Sequence, residues 1–148
     1  MVATGNLAAP RPAQRMSHLS PTPARILSRR DIVSLMDCAA YLDAVETAFR
    51  ACSSGTAEAP PPMHIALANG GFHTKGAFID LDRGYVAMKV NGNFPGNPRE
   101  RGLPTIQGAV LLFDAACGSL LAVLDSIEIT LRRTAARKHR VNEAPEAE

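Results

Sequence analysis

Four basic side chains have types and positions suited to binding a small anion. His73 and Lys75 are two residues apart in a strand-like segment, so strand alternation places both on one face. Lys89 lies in an otherwise apolar strand-like run, and Arg133 lies near the start of a predicted helix. Cationic groups on rigid elements can hold a carboxylate or phosphate in one orientation. These residues are therefore the candidates for a ligand site.

Each candidate also has a purely structural explanation. Lysines such as Lys75 are common on solvent-facing edge strands, where they discourage pairing with other chains. Lys89 either extends its ammonium to the surface or points at a carboxylate. Arg132 and Arg133 are adjacent and point about 100° apart on a helix of ~3.6 residues per turn, so only one can face a pocket. Arg133 suits bidentate carboxylate binding near helix-terminal amides, although a solvated helix face would have the same sequence.

A glycine- and proline-rich segment, Asn91–Pro104, follows Lys89. Its three asparagines, Asn91, Asn93 and Asn97, offer amide groups for hydrogen bonding. Long loops with a defined path are often functional, and a flexible crossover between strands would look similar.

The periodicity of apolar residues predicts an α+β domain. Ser28 and Asp31 form a cap for one helix, Asp37 caps a second, and Gly55 ends it in the left-handed conformation. The pattern then becomes extended, and short turns between strands indicate a mainly antiparallel sheet. A C-terminal helix follows, capped by Asp125 or Ser126. The predicted strands are Met63–Ala68, Gly71–Asp80, Tyr85–Asn91, Thr105–Asp114 and Leu120–Asp125.

Composition limits the classes of function. The chain has 148 residues, 46% of them hydrophobic, and a formal net charge of +2 from 16 basic and 14 acidic residues. This near balance argues against nucleic-acid binding, and no apolar run approaches the ~20 residues of a membrane span. Cys38, Cys52 and Cys117 lack metal-type spacing and lie in apolar runs, which predicts reduced core residues, no metal site and a cytoplasmic protein.

The two ends of the chain are expected to be irregular. The first thirty residues contain no Asp or Glu and are interrupted by prolines, a composition that imitates an organelle transit peptide. Because the prolines break any amphipathic helix, a disordered extension over 1–25, or a true start at Met16, is the better interpretation. The folded domain is expected over 26–136, with an irregular tail over 137–148.

Several motifs resemble the ornithine cyclodeaminase/mu-crystallin family. They are GGFH, the run from Lys89 to Gly108 (KVNGNFPGNPRERGLPTIQG), and DSIEIT with RTAA from Asp125 to Ala136. Several matching blocks occur in the family's order between Ile26 and Ala136. The resemblance implies the family's substrate-binding and dimerisation portion, with a small amino or imino acid as ligand and a homodimer formed through the sheet.

The resemblance also implies roles for individual residues. Lys89 and Arg133 match the family's lysine and arginine that bind the substrate carboxylate, and the Thr105–Gly108 strand matches one near the same site. Two departures concern the substrate: Pro62 and Met63 stand where ornithine-acting members carry an arginine, and His73 stands where they carry a glutamate for the distal amine. This favours another amino or imino acid, as in alanine dehydrogenases or ketimine reductases.

The family's cofactor domain has no counterpart in the sequence. Full-length members bind NAD or NADP in a Rossmann domain, yet no two of the 11 glycines are two positions apart, so no G-x-G-x-x-G turn exists. The sequence after Ala136 reads as a truncation or frameshift. We therefore expect no catalytic residue and no bound dinucleotide in this chain alone, which would be inactive by itself. The alternative is a non-catalytic module that binds a carboxylate or a partner subunit.

Overall fold

The computed structural model describes residues 23–143, and the side chains of residues 23–136. Four helices and seven strands follow in the order β1, α1, α2, β2, β3, β4, β5, α3, β6, β7, α4. The helices are α1 Arg29–Leu35, α2 Cys38–Ser54, α3 Asn97–Arg101 and α4 Ser126–Glu143. The strands are β1 Arg25–Leu27, β2 Ala57–Glu58, β3 Met63–Leu67, β4 Gly70–Asp80, β5 Gly84–Asn93, β6 Ile106–Asp114 and β7 Leu120–Asp125.

Local capping chemistry fixes the first two helices as the sequence predicts. Ser28 and Asp31 form a capping box, in which each side chain accepts from the other residue's backbone N–H. The Asp37 carboxylate accepts from the Ala40 backbone N–H and begins α2. Gly55, with φ of 76°, ends α2 in the left-handed region that favours glycine.

One seven-stranded sheet organises the rest of the chain. Its order is β1-β7-β6-β5-β4-β2, and β3 pairs with β4 beside β2. The pairs among β4, β5, β6 and β7 form the antiparallel meander that the turn signals predict. The exception is β1, which pairs with β7 in parallel. The α+β class predicted from the sequence is confirmed.

Three short elements were not predicted from the sequence. Strands β1 and β2 have three and two residues, and each pairs with a strand far away in the chain. Helix α3 occupies the centre of the segment predicted as a loop, and Gly102, with φ of 63°, ends it. The Asn97 side chain is buried there and donates from Nδ2 to the Pro104 carbonyl oxygen at 3.3 Å. The loop is therefore short and held by its own hydrogen bonds.

The sheet has two unlike faces. Helix α4 packs on one of them, here called the helix face, and also contacts β6, α1 and α2. The buried apolar residues come from α1, α2, β7 and α4: Ile32, Tyr41, Ala51, Ala122 and Ala136. On the other, the open face, seven large apolar side chains are 37–56% exposed: Met63, Ile65, Leu67, Phe72, Phe78, Met88 and Val90.

The cysteine prediction was wrong about burial. Cys38, Cys52 and Cys117 are all free thiols, and all three are exposed. Cys38 begins α2 and Cys117 lies in the turn between β6 and β7, while α2 buries Tyr41 and Ala51 instead of Cys52. Apolar neighbours in sequence therefore do not determine which side of an element a residue occupies.

The chain ends differ from the sequence expectation where the structure describes them. Arg25 belongs to β1, although the disordered extension was expected to include it, and residues 1–22, with Met16, lie outside the described residues. Helix α4 continues to Glu143, whereas an irregular tail was expected from residue 137. None of the helices in residues 23–143 has the length and apolar character to cross a membrane.

Candidate functional site

Two rows of polar side chains cross the helix face of the sheet. In the first row, His64 of β3 lies opposite His73 of β4, and His73 lies opposite Asn91 of β5. In the second row, Lys75 of β4 lies directly opposite Lys89 of β5. Because side chains alternate between the faces of a strand, residues 73 and 75, and residues 89 and 91, share one face. The structure thus brings His73, Lys75 and Lys89 together.

The first turns of α4 are attached to this face by two side-chain hydrogen bonds. The Ser126 hydroxyl donates to Asn91 Oδ1 at 2.8 Å, and Ser126 is fully buried. Lys89 Nζ donates to Thr130 Oγ1 at 3.2 Å. Thr130 in turn donates to the Ser126 carbonyl oxygen at 2.6 Å. These contacts fix Lys89 relative to the start of the helix.

Helix α4 begins at a side-chain cap. Asp125 Oδ1 accepts from the backbone N–H of Ile127 at 2.9 Å, so Asp125 caps the helix. The Ser126 hydroxyl does not cap the helix and instead donates to Asn91 Oδ1 of β5. Of the two caps proposed from the sequence, Asp125 is the one observed.

Lys89 occupies an unfavourable electrostatic position. It is half-buried, and its pKa lies below the ordinary value because burial disfavours the ammonium, with Arg133 and Lys75 adding repulsion. Among the described side chains, no carboxylate forms an ion pair with Lys75, Lys89 or Arg133. Three cations therefore share one region that has no acidic partner in the described part of the chain.

The two adjacent arginines of α4 face different surroundings. Arg132 donates from Nε to Glu128 at 2.8 Å, and its guanidinium lies 5.8 Å from the centre of the Tyr41 ring. Glu128 also accepts from Arg29 of α1. Arg132 thus ties α4 to the other helices, while Arg133 lies close enough to Lys89 to lower its pKa. This agrees with the divergence expected of neighbouring helix positions.

Sequence reasoning did not connect four residues of this region to the candidate site. His64 stacks on His73 with ring centroids 4.2 Å apart and planes 16° apart. The alternation within the predicted strand 63–68, combined with the hairpin turn, would have paired the two histidines. Ser126, Thr130 and Arg133 are spaced by four and three residues, which places them on one side of a helix. The fourth residue, Asn91, ends the predicted strand Tyr85–Asn91 and was noted for its amide group, but its bond to Ser126 was not foreseen.

Gly108 of β6 lies beside Asn91 and allows the Asn91–Ser126 contact. An added Cβ at Gly108 would overlap the Val90 carbonyl oxygen and would lie 2.6 Å from Asn91 Oδ1. The segment Thr105–Gly108, which the resemblance associates with the site, therefore borders this face. The residue that contacts the face is Gly108, which has no side chain.

The described helix starts differ from the phosphate cradle of a nicotinamide dinucleotide. Its pyrophosphate needs a glycine-rich turn and free backbone N–H groups at a helix start. Here side-chain caps from Ser28, Asp37 and Asp125 close the starts of α1, α2 and α4. The five-residue α3 has no side-chain cap, but its first backbone N–H, from Asn97, donates to the Phe94 carbonyl oxygen. In the described chain, no group of three or more His, Cys, Asp or Glu side chains could hold a metal ion.

Comparison with known protein families decides the family. The profile of the ornithine cyclodeaminase/mu-crystallin family matches residues 23–139, which include every strand and helix that builds the site. The chain belongs to this family. Members of the family are NAD-dependent dehydrogenases, reductases or cyclodeaminases that act on amino or imino acids.

Relatives within the family match the chain over only part of their length. The alanine dehydrogenase of Archaeoglobus fulgidus is 33% identical over 111 residues, which are 75% of this chain and 33% of that enzyme. The Delta(1)-pyrroline-2-carboxylate/Delta(1)-piperideine-2-carboxylate reductase of Azospirillum brasilense is 32% identical over 82% of this chain and 37% of its own length. The chain thus spans about a third of the length of these relatives.

A solved structure from the family shows the same fold. The Delta(1)-pyrroline-2-carboxylate reductase of Thermococcus litoralis, in complex with NADH and L-proline, superimposes with a TM-score of 0.72 at 30% identity. The match covers 77% of this chain and 35% of the reductase. The α+β fold described above is therefore that of one portion of a longer family member.

Proposed function

We propose that this chain binds the carboxylate of a small amino or imino acid through Lys89 and Arg133. The observation that carries the proposal is the half-buried Lys89 ammonium, which lies near Arg133 and has no acidic partner among the described residues. A buried charge is costly unless it is paired, so a bound anion would supply the missing partner. A carboxylate between a lysine and an arginine forms charge-assisted hydrogen bonds with both.

The relatives support this ligand class. The relatives described above are an alanine dehydrogenase and reductases of pyrroline and piperideine carboxylates, and the T. litoralis structure contains L-proline as well as NADH. Alanine, proline and the pyrroline and piperideine carboxylates in these names each carry one carboxylate on the carbon that bears the amino or imino nitrogen. We expect Lys89 and Arg133 to orient that carbon, with Lys75 and His73 beside it.

Hydride transfer is proposed to need residues beyond those described. NAD or NADP supplies the hydride in the family, and the described residues present no cradle for its pyrophosphate. We therefore propose that residues 23–143 provide the substrate half of an amino- or imino-acid oxidoreductase or cyclodeaminase. On its own this half binds ligand without turning it over.

The second candidate function is subunit association. The seven apolar side chains of the open face form a patch without a covering layer in the described structure. Large exposed apolar patches usually mark interaction surfaces. We propose that a second copy of the chain covers this face, giving a homodimer through the sheet. A chain without catalytic activity could still form this dimer.

The chemistry of the cysteines supports a cytoplasmic location. All three thiols are free and exposed, a state that persists in a reducing compartment. We propose that the protein resides there.

Isothermal titration calorimetry of the purified chain tests carboxylate binding. L-Alanine and L-proline should bind the wild type, and Lys89→Met should abolish both heats. Arg30→Met is the matched control, because it removes one exposed cation from α1 and should leave binding unchanged. NADH and NADPH should give no heat. Binding that survives Lys89→Met contradicts the proposed site, and binding of NADH contradicts the proposed division of function.

A further inference from the structure

Thr130 of α4 contacts the Lys89 ammonium through an oxygen that has no free proton. The Thr130 hydroxyl donates to the Ser126 carbonyl oxygen at 2.6 Å, so Thr130 Oγ1 acts as the acceptor for Lys89 Nζ, 3.2 Å away. An ammonium group has three N–H donors. One of them is directed at Thr130, and the other two remain for a bound anion.

The position of Thr130 is itself fixed by the sheet. Ser126, one turn earlier in α4, is fully buried, and its hydroxyl donates to Asn91 Oδ1 at 2.8 Å. Asn91 lies two residues after Lys89 in the same strand, β5. Hydrogen bonds therefore run from Lys89 through Thr130 and Ser126 back to Asn91. This closed circuit holds the first turns of α4 in one position relative to Lys89.

Thr130 is a neutral acceptor, and this suits a site for an anion. A carboxylate side chain at the same position would bind Lys89 more strongly, but it would also neutralise the lysine. A hydroxyl restrains the ammonium and leaves its charge for the ligand. Lysine has a long, flexible side chain, so an unrestrained lysine loses rotamer freedom when it binds a ligand. Thr130 imposes part of that restriction in the free protein, before a ligand binds.

The usual structural role of a helical threonine does not explain the contact with Lys89. Threonines in helices often donate to the carbonyl oxygen four residues earlier, and Thr134 donates in this way to Thr130 at 2.6 Å. Thr134 is exposed, and its hydroxyl contacts no lysine within residues 23–136. Thr130 differs because it faces Lys89, on the side of α4 that carries Arg133 three residues later.

We propose that Thr130 is a positioning residue for carboxylate binding, which holds the Lys89 ammonium so that its two remaining N–H groups meet the ligand. This inference rests on the proposed function, in which Lys89 and Arg133 bind the carboxylate. Thr130 does not touch the ligand and acts only through Lys89. Its oxygen restricts the lysine side chain and, as a hydrogen-bond acceptor, favours the charged form of the amine.

Calorimetric titration with L-alanine at neutral pH tests the effect of Thr130 on affinity. Thr130→Val keeps the branched shape of threonine and removes its oxygen, so it should weaken binding about three- to tenfold, the effect of releasing one flexible side chain. Thr130→Ser keeps the oxygen and should bind nearly as tightly as the wild type. Thr134→Val is the matched control, because it removes the same type of hydrogen bond one turn later, and it should leave affinity unchanged.

The pH dependence of propionate binding separates positioning from a loss of helix stability. Propionate has no amino group, so the loss of affinity with rising pH reports the lysine. Without the Thr130 acceptor the ammonium loses a hydrogen bond that favours the charged form, and the pKa of Lys89 should fall. The decrease in affinity should therefore begin at a lower pH in Thr130→Val than in the wild type or in Thr134→Val. A variant that only loosened the helix would bind less tightly without this displacement.

The outcomes separate the inference from the function on which it depends. An unchanged affinity and pH profile in Thr130→Val, with binding abolished in Lys89→Met, overturns the positioning role and leaves the proposed function standing. Equal losses in Thr130→Val and Thr134→Val, with no displacement in pH, also overturn the positioning role. Binding that survives Lys89→Met, or no binding to the folded wild type, overturns both. If Thr130→Val gives no cooperative thermal transition, Thr130→Ala replaces it with the same expected results, because alanine favours the helix.

Discussion

Lys75 and Lys89 lie directly opposite each other on neighbouring strands of the sheet, with no carboxylate paired to either among the described residues. A protein that needed only a stable sheet would have an opposite charge or an apolar residue at one of these positions. Lys75 is exposed, so solvent screens part of this repulsion, and the remainder would be the cost of the proposed anion site. Sites prepared in this way commonly exchange stability for function.

Replacement of Lys89 by methionine should stabilise the free protein. Methionine keeps much of the lysine's volume and removes a half-buried charge that Arg133 and Lys75 repel. Thr130 still donates to the Ser126 carbonyl oxygen, so no buried hydroxyl loses its only partner. We expect a gain of about 0.5–2 kcal/mol, or an increase in Tm of ~2–8 °C. Differential scanning calorimetry measures it, and a decrease in Tm would show that the Lys89–Thr130 contact outweighs the repulsion.

Carboxylate affinity should decrease with rising pH, and the decrease should begin below the pH at which an unperturbed lysine loses its proton. Burial, Arg133 and Lys75 lower the pKa of Lys89 from 10.5 in the free protein. The folded protein therefore bears the cost of the ammonium at neutral pH, and this cost disappears as the pH rises from the folded pKa towards 10.5. Affinity for propionate, which has no amino group that titrates in this range, should fall over the same interval. Lys89→Arg keeps its charge, so its affinity should stay constant there; parallel losses in both proteins would refute the assignment to Lys89.

Removal of the Ser126 hydroxyl should destabilise the attachment of α4 to the sheet. Ser126→Ala leaves Asn91 Oδ1 without this donor in a buried position. An unsatisfied buried polar group costs about 1–3 kcal/mol. Ser53→Ala is the matched control, because its hydroxyl bonds to the Phe49 carbonyl oxygen on an exposed helix surface. Urea denaturation should show the loss for Ser126→Ala alone, and equal losses would contradict a special role for the buried contact.

Two glycines in the sheet should respond differently to replacement by alanine. At Gly108 an added Cβ would collide with the backbone of Val90 and with Asn91 Oδ1, whereas at Gly76 the nearest atom, the Ala87 carbonyl oxygen, is 4.0 Å away. Gly108→Ala should therefore cost about 1–3 kcal/mol through overpacking, and Gly76→Ala should be nearly neutral. Thermal denaturation of the two variants checks this. Similar Tm values would show that the β5–β6 pair shifts easily.

A charge on the open face should prevent self-association. Met88 and Val90 lie on this face next to each other along β5 and are about two-fifths exposed. A buried, unpaired lysine in an apolar interface is strongly unfavourable, so Met88→Lys should shift a dimer to monomer. Size-exclusion chromatography with light scattering measures the mass against 15.7 kDa for one chain. A wild-type monomer at all concentrations would exclude the homodimer.

The fold was predictable where its signals are local. The caps at Ser28 and Asp37 and the stop at Gly55 each depend on residues within one turn, and all three are observed. The strands predicted from alternation occur within two residues of their observed limits. By contrast, β1 and β2 exist only through pairing with distant strands, and a two- or three-residue segment carries no periodicity of its own.

The site was predictable in its residue types but not in its contacts. Alternation placed His73 with Lys75, and helix geometry separated Arg132 from Arg133. That these residues bind substrate remains a prediction. The opposition of Lys75 and Lys89 depends on strand register, which the length of the turn after Asp80 sets. The Asn91–Ser126 contact joins positions 35 residues apart, and no local pattern encodes it.

The three cations, which pair with no carboxylate within residues 23–136, also have a kinetic consequence. Charges of one sign on one face, not cancelled by neighbours, extend an attractive field into solution over about a Debye length, ~8 Å at physiological ionic strength. Small anions would be drawn towards α4 and the lysine row before any contact forms. The same arrangement that weakens the sheet would therefore speed the encounter with ligand, and the gain would decline as salt is added.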